Sequence, residues 1–135
     1  MKFITRDTDY AIRALVFMIR VSKKKPDRVI TVDEIVEEEG LPERFLRRIF
    51  QRLAKKKILL SYKGKSGGFS FLAHPDKIRV ADIVKIFQGD INFTNCLLKT
   101  NICPNIGTCM FRKRLKSVNE MVVRELVKIK ISSLL

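Results

Sequence analysis

Three cysteines, Cys96, Cys103 and Cys109, fall within fourteen residues, CLLKTNICPNIGTC, and the chain has no others. An odd set of thiols builds no closed disulfide framework. The C-x6-C-x5-C spacing also lacks the tight C-x2–4-C pair that usually holds a single zinc ion. Iron–sulfur clusters are likewise bound through thiolates, and being larger than one ion they accept ligands from looser loops. Pro104 and Gly107 put bends inside the segment, as wrapping around such a guest requires. The competing readings are a zinc site completed from elsewhere, an oxidant-sensing thiol group, and three cysteines that only fill space. Clustering of every cysteine in one turn-rich stretch favours the iron–sulfur reading.

The remaining chemistry is sparse. His74 is the only histidine and directly precedes Pro75, a context that suits a structural role. Without a second histidine or a nucleophile motif, no enzyme active site is discernible.

Charge is the second strong signal. The chain carries 28 basic and 14 acidic residues, a net charge of +14 over 135 residues. So large an excess points to a polyanion partner, with counterion release supplying affinity. Residues 42–65 hold nine Lys or Arg and one acid, Glu43, whereas residues 33–39 hold five acids, so the basic charge is concentrated. Mean composition, 46% hydrophobic, is that of a globular protein. The charged start, MKFITRDTDY, argues against a signal peptide, and no apolar run is long enough for a membrane span. A cytoplasmic protein with reduced thiols is expected.

The elements that must position these residues can be read from periodicity and caps. Thr5 suits the start of a helix over about residues 6–21, with Ile12, Leu15, Val16 and Ile19 on one face. After the polar break KKKPDR, Thr31 and Glu34 form a capping box for a short helix over 32–39, ended by Gly40. Pro42 suits the first turn of the next helix, 43–57, whose buried stripe is Phe45, Leu46, Ile49, Phe50 and Leu53. Two helices joined by a three-residue turn containing glycine form a helix-turn-helix. ILLSYK (58–63) and FSFLA (69–73) then read as a hairpin around Gly64–Gly68, the wing. A helix over 80–87 follows, then the cysteine segment. A last helix, 109–129, repeats Phe111, Leu115, Val118, Val122, Leu126 and Ile129 at helical spacing. That stripe exceeds what the small head can cover, and a two-fold dimer is the simplest way to bury it.

The expected fold is therefore mostly α with a small β-hairpin wing. A winged helix-turn-helix head (residues 1–75) is followed by the cysteine loop and a long C-terminal dimerisation helix (76–135). Arg44, Arg47 and Arg48 lie away from the apolar stripe, where arginine forks can read guanine edges in a major groove. Arg52 shares that surface. Lys55, Lys56 and Lys57 at the far end suit phosphates, and Lys63 and Lys65 flank the wing. Gly67 and Gly68 leave the wing backbone free for close approach. Duplex DNA with a palindromic operator fits a symmetric dimer better than RNA does, although a basic RNA-binding protein is the rival class.

TDYAIRAL near the start, LPERFLRRIFQRL, GKSGGFSFL in the wing, IRVADIVKIFQGD and three spaced cysteines occur in that order along the whole chain. This combination resembles the IscR/NsrR family of bacterial winged-helix regulators. The resemblance implies a homodimeric DNA-binding transcription regulator whose operator affinity depends on a cluster held by Cys96, Cys103 and Cys109 of each subunit. IscR-like members place a histidine three residues after the third cysteine, but that position is Arg112 here. NsrR-like members use an aspartate in the first helix of the partner subunit, which matches Asp9. Three thiolates and a carboxylate favour a [4Fe–4S] cluster over [2Fe–2S], responsive to nitric oxide, oxygen or iron–sulfur status. The alternative within the same fold is a cluster-free regulator that senses thiols or small molecules. A further departure is Lys57, where the family often has glycine, which leaves the end of the recognition helix open to a different geometry.

Overall fold

A computed structural model describes residues 3–65, 67–92, 105 and 107–135. Cys96, Cys103 and Pro104 lie outside the described residues. Among the described residues, five helices and one hairpin appear in the expected order: α1 (Arg6–Lys24), α2 (Val32–Glu39), α3 (Glu43–Lys55), β1 (Leu59–Tyr62), β2 (Gly68–Phe71), α4 (Val80–Gln88) and α5 (Met110–Lys128). Short 3-10 turns occupy Pro75–Lys77 and Ile131–Leu134.

Local chemistry accounts for the helix boundaries. Thr5 caps α1, and Thr31 with Glu34 completes a reciprocal capping box on α2. Helix α1 runs a turn further than its apolar pattern, because Lys23 and Lys24 complement the negative end of the helix dipole. Pro42 stands at the N-cap of α3 rather than inside its first turn. The strands are shorter than the apolar runs. Ile58 O accepts both Leu72 N–H and Ala73 N–H, so the open end of the hairpin is bulged there instead of continuing its ladder.

Helix α3 ends at Lys55, two residues earlier than its pattern suggests. Lys57 N–H donates to Ala54 O and Ile58 N–H to Leu53 O, the paired bonds of a Schellman ending. Lys57 occupies its left-handed position, with φ of +61°. A lysine thus adopts the geometry usually given to glycine, and the departure noted in the sequence leaves the helix ending in place. It carries a steric penalty instead, of about 1 kcal/mol. Lys57→Gly removes that penalty while raising unfolded-chain entropy, so a net stabilisation of up to ~1 kcal/mol is expected. A thermal melt showing a raised midpoint checks this.

One continuous core joins the head to the later helices. Ala11, Ala14, Leu15 and Met18 of α1 pack with Leu46, Ile49, Phe50 and Leu53 of α3, and with Ile83 and Val84 of α4. Ile131 buries itself in the same core beyond α5, and Arg79 and Lys130 form a backbone bridge beside it. The wing is tied in by Phe69, whose ring stacks on Phe50 at 5.0 Å, and by backbone pairing of Ile30 with Phe69. Phe69 is therefore core rather than a stacking platform. His74 is structural as well: its Nδ1 accepts Asp76 N–H and caps the following turn.

Helix α5 differs from the rest in having no buried residue. Its last turns pack on α4 and the core through Leu126 and Ile129. Further up, Met110, Phe111, Val118 and Met121 are exposed.

Candidate DNA interface and thiol cleft

The buried stripe of α3 turns one line of side chains directly outward. Arg44, Arg48, Gln51 and Lys55 are all exposed and recur at i, i+4, i+7 and i+11, opposite Leu46, Ile49, Phe50 and Leu53. Gln51 was not among the residues singled out from the sequence, although its amide suits an adenine edge. Its helical register opposite the apolar stripe was the signal available. Arg47 and Arg52 flank the line. Arg47 turns towards α2, with Nη2 2.7 Å from Glu43 and 3.4 Å from Asp33. The Arg52 guanidinium lies 5.7 Å from the ring centre of Phe87 in α4. Arg44, Lys55, Lys56, Lys63 and Lys65 are exposed and make no ion pair among the described residues.

Arg48 is held more closely. Its Nη2 donates to both carboxylate oxygens of Asp7 in α1, at 3.0 and 3.2 Å. The same guanidinium lies 5.3 Å from the ring centre of Phe45, and Arg6 lies 4.2 Å from that ring. Phe45 is thus half-buried beneath two arginines instead of joining the core fully.

The wing glycines have an intramolecular duty. A Cβ on Gly68 would come within 2.5 Å of Ile30 O, and one on Gly67 within 2.7 Å of the carbonyl oxygens of Gly64 and Tyr62. A side chain at Gly68 would push the hairpin off the segment that pairs with it, and one at Gly67 would open the hairpin's own turn.

Only one of the cysteines is described. Cys109 is the N-cap of α5, and its Sγ accepts Arg112 N–H at 3.4 Å. It lines a cleft of about 460 Å³ between residues 90–92 and the first turns of α5, with Arg112, Lys113 and Lys116 on the same wall. Asp90 and Glu120 also line the cleft, and the Cys109 sulfur is a donor of the type that holds a thiolate-ligated cluster. Cys109, the one described member of the donor set, is chemically suited to such a group. Among the described residues, no three histidine, cysteine, aspartate or glutamate side chains converge on one point. Asp9 is half-exposed on α1 and pairs with Arg13 at 3.0 Å. Two carboxyls are held below their usual range: Asp76 by a hydrogen bond from Ser132, and Glu125 by its bond to Lys128. Neither lines the thiol cleft or the outward face of α3.

The first turn of α1 connects these parts. Gln88, the last residue of α4, accepts Thr5 N–H at 2.9 Å and donates to Phe3 O at 3.0 Å. Cys96 follows eight residues further along the sequence.

Residues 4–135 match the protein family described as Rrf2, iron-dependent transcriptional regulator. An rrf2-like protein of Rhodobacter capsulatus, named for an HTH-type transcriptional regulator, is 30% identical over 115 residues, which span 82% of this chain and 77% of that protein. Among solved structures, T. potens IscR has a similar fold, with a TM-score of 0.75 at 19% identity over 99% of this chain and 85% of that one. CymR, described as the global cysteine regulator of B. subtilis, has a TM-score of 0.73 at 21% identity over 99% and 96% of the two chains. No helix among the described residues is long and apolar enough to cross a membrane.

Proposed function

The chain belongs to the Rrf2 family of iron-dependent transcriptional regulators, and on that premise we propose that it binds a palindromic DNA operator as a homodimer, with an iron–sulfur cluster setting its affinity. It is a regulator and not an enzyme. The observation that carries the proposal is the position of α1. Its first turns reach Arg48 in α3 through Asp7, present Asp9 half-exposed, and are tied through Phe3 and Thr5 to Gln88 at the end of α4, eight residues before Cys96 in the sequence.

In this reading Arg44, Arg47, Arg48 and Gln51 meet base edges in the major groove, while Arg52, Lys55 and Lys56 hold phosphates. Lys63 and Lys65 flank the wing as it meets the neighbouring backbone, with Gly67 and Gly68 keeping its tip thin. Cys96, Cys103 and Cys109 would hold the cluster, and Asp9 of the partner subunit would complete its ligand set. Three thiolates with one carboxylate favour [4Fe–4S] over [2Fe–2S]. When bound, the cluster supplies iron reactive towards nitric oxide or oxygen, most openly at its carboxylate corner. Arg112, Lys113 and Lys116 offset negative charge in the cleft, and the Arg112 N–H fixes the Cys109 sulfur. Movement of α1 would shift both recognition helices relative to successive grooves, and with them operator affinity. The protein acts in the cytoplasm, where its thiols stay reduced.

Anaerobic purification tests the cluster. Brown protein with stoichiometric iron and sulfide is expected, and a colourless, iron-free protein would end that part of the reading. The Asp9→Ala protein should lose its cluster to oxygen or nitric oxide roughly 10-fold faster, in line with the weight of ligand-sphere changes. Identical retention and response would remove Asp9 from the ligand set. A cluster-free regulator sensing thiols or small molecules is the second reading, favoured by the nearly full-length fold match to a protein described as a cysteine regulator.

A further inference from the structure

Among the arginines of α3, Arg48 is the one in the outward line that another helix holds. Asp7 binds it through Nη2 alone, at 3.0 and 3.2 Å, which leaves the hydrogens on Nη1 and Nε uncommitted. The Phe45 ring supports the same guanidinium. Arg48 is 60% exposed and Asp7 31%, so the arginine remains open to a ligand while its carboxylate partner is partly enclosed. The backbone that carries Asp7 is anchored on both sides: Thr5 caps the helix two residues earlier, and its hydroxyl meets that of the fully buried Thr8.

An unheld arginine in a groove samples many rotamers and meets a phosphate as readily as a base. One clamped from behind presents its planar fork in one direction, and little freedom is left to lose on binding. Exposed ion pairs contribute little to folding, so stability does not explain this contact well. We infer that Asp7 is a positioning residue for base recognition, orienting Arg48 towards a guanine edge and keeping it off the phosphates. Arg44 in the same line has no such clamp, so the two arginines differ in role. The inference rests on the DNA-binding reading above and adds a specificity determinant that lies outside the recognition helix.

Selection from a randomised duplex pool, run on the full-length wild type and on Asp7→Asn, tests this. Wild type should select a motif containing a G·C pair that Arg48→Ala ceases to select. Asp7→Asn should lose preference at that same pair, roughly 10-fold, and keep preference elsewhere in the motif. Its binding to unselected duplex should rise about 2- to 5-fold, since one negative charge near the phosphates is gone. Asp7→Glu should restore the preference. With Arg48→Ala already present, Asp7→Asn should cost no further discrimination. If Asp7→Asn selects the wild-type motif with undiminished preference, or if the losses of the two variants simply add, Asp7 does not position Arg48. If wild type selects no duplex sequence at all, the DNA-binding reading fails and this inference fails with it.

Discussion

Changing Val118 to glutamate should leave a folded monomer that binds operator DNA at least about 100-fold more weakly than wild type. Val118 is 47% exposed and Phe111, two turns earlier on the same face, is 71% exposed. No residue of α5 is buried within its own chain, so the substitution removes nothing from the core. In a two-fold interface each change appears twice. A carboxylate near its own symmetry mate within an apolar seam combines desolvation with like-charge repulsion. The DNA consequence is larger than the dimer consequence alone. Two linked heads bind a palindrome with an advantage of roughly 10²–10⁴ over one head, and a monomer forfeits it. Sedimentation or light scattering reads the oligomeric state, circular dichroism the fold, and a gel-shift titration the affinity. A variant that stays dimeric would place the subunit interface elsewhere.

The second large effect concerns Cys109→Ser. Serine is a good helix N-cap and can accept the Arg112 N–H that the thiol now accepts, so α5 should keep its start. A neutral hydroxyl is a poor ligand for iron where a thiolate is needed. The expected protein is folded, nearly colourless, and holds one-tenth or less of the wild-type iron, roughly the scale at which even outer-sphere changes act on metal sites. Iron and sulfide assays on anaerobic protein measure it, with the melting temperature as a control for folding. Full iron content in the variant would exclude Cys109 as a ligand. Loss of iron with unchanged operator affinity would separate the cluster from DNA control.

Much of this architecture was legible in the residues. Thr31 with Glu34, Gly40 and the alternation around Gly64–Gly68 carry short-range signals, and the helix-turn-helix and wing follow from them because caps and turns are decided within a few residues. The stripe of α5 was legible for the same reason, since a 3.6-residue period needs no tertiary information. Positions that depend on contacts distant in sequence were not. Gly68 reads as a place for close approach to DNA until Ile30, nearly forty residues earlier, is seen against it. Lys57, at a local helix ending, was marked only by the resemblance, because a lysine side chain carries no signal of its own for a left-handed position. Gln51, by contrast, was legible from its register opposite the apolar stripe of α3, and an uncharged side chain did not draw attention to it.

The sequence by itself determined the class of chemistry: three clustered thiols, a concentrated basic helix and an uncovered apolar stripe are matters of type and spacing. Tertiary structure alone decided how those parts communicate. The pairing of Asp7 with Arg48 spans 41 residues, and the Gln88 bridge to Thr5 spans 83. Helical periodicity constrains neither pairing, since each arises only when the packing of α1 against α3 and α4 brings their ends within hydrogen-bond reach.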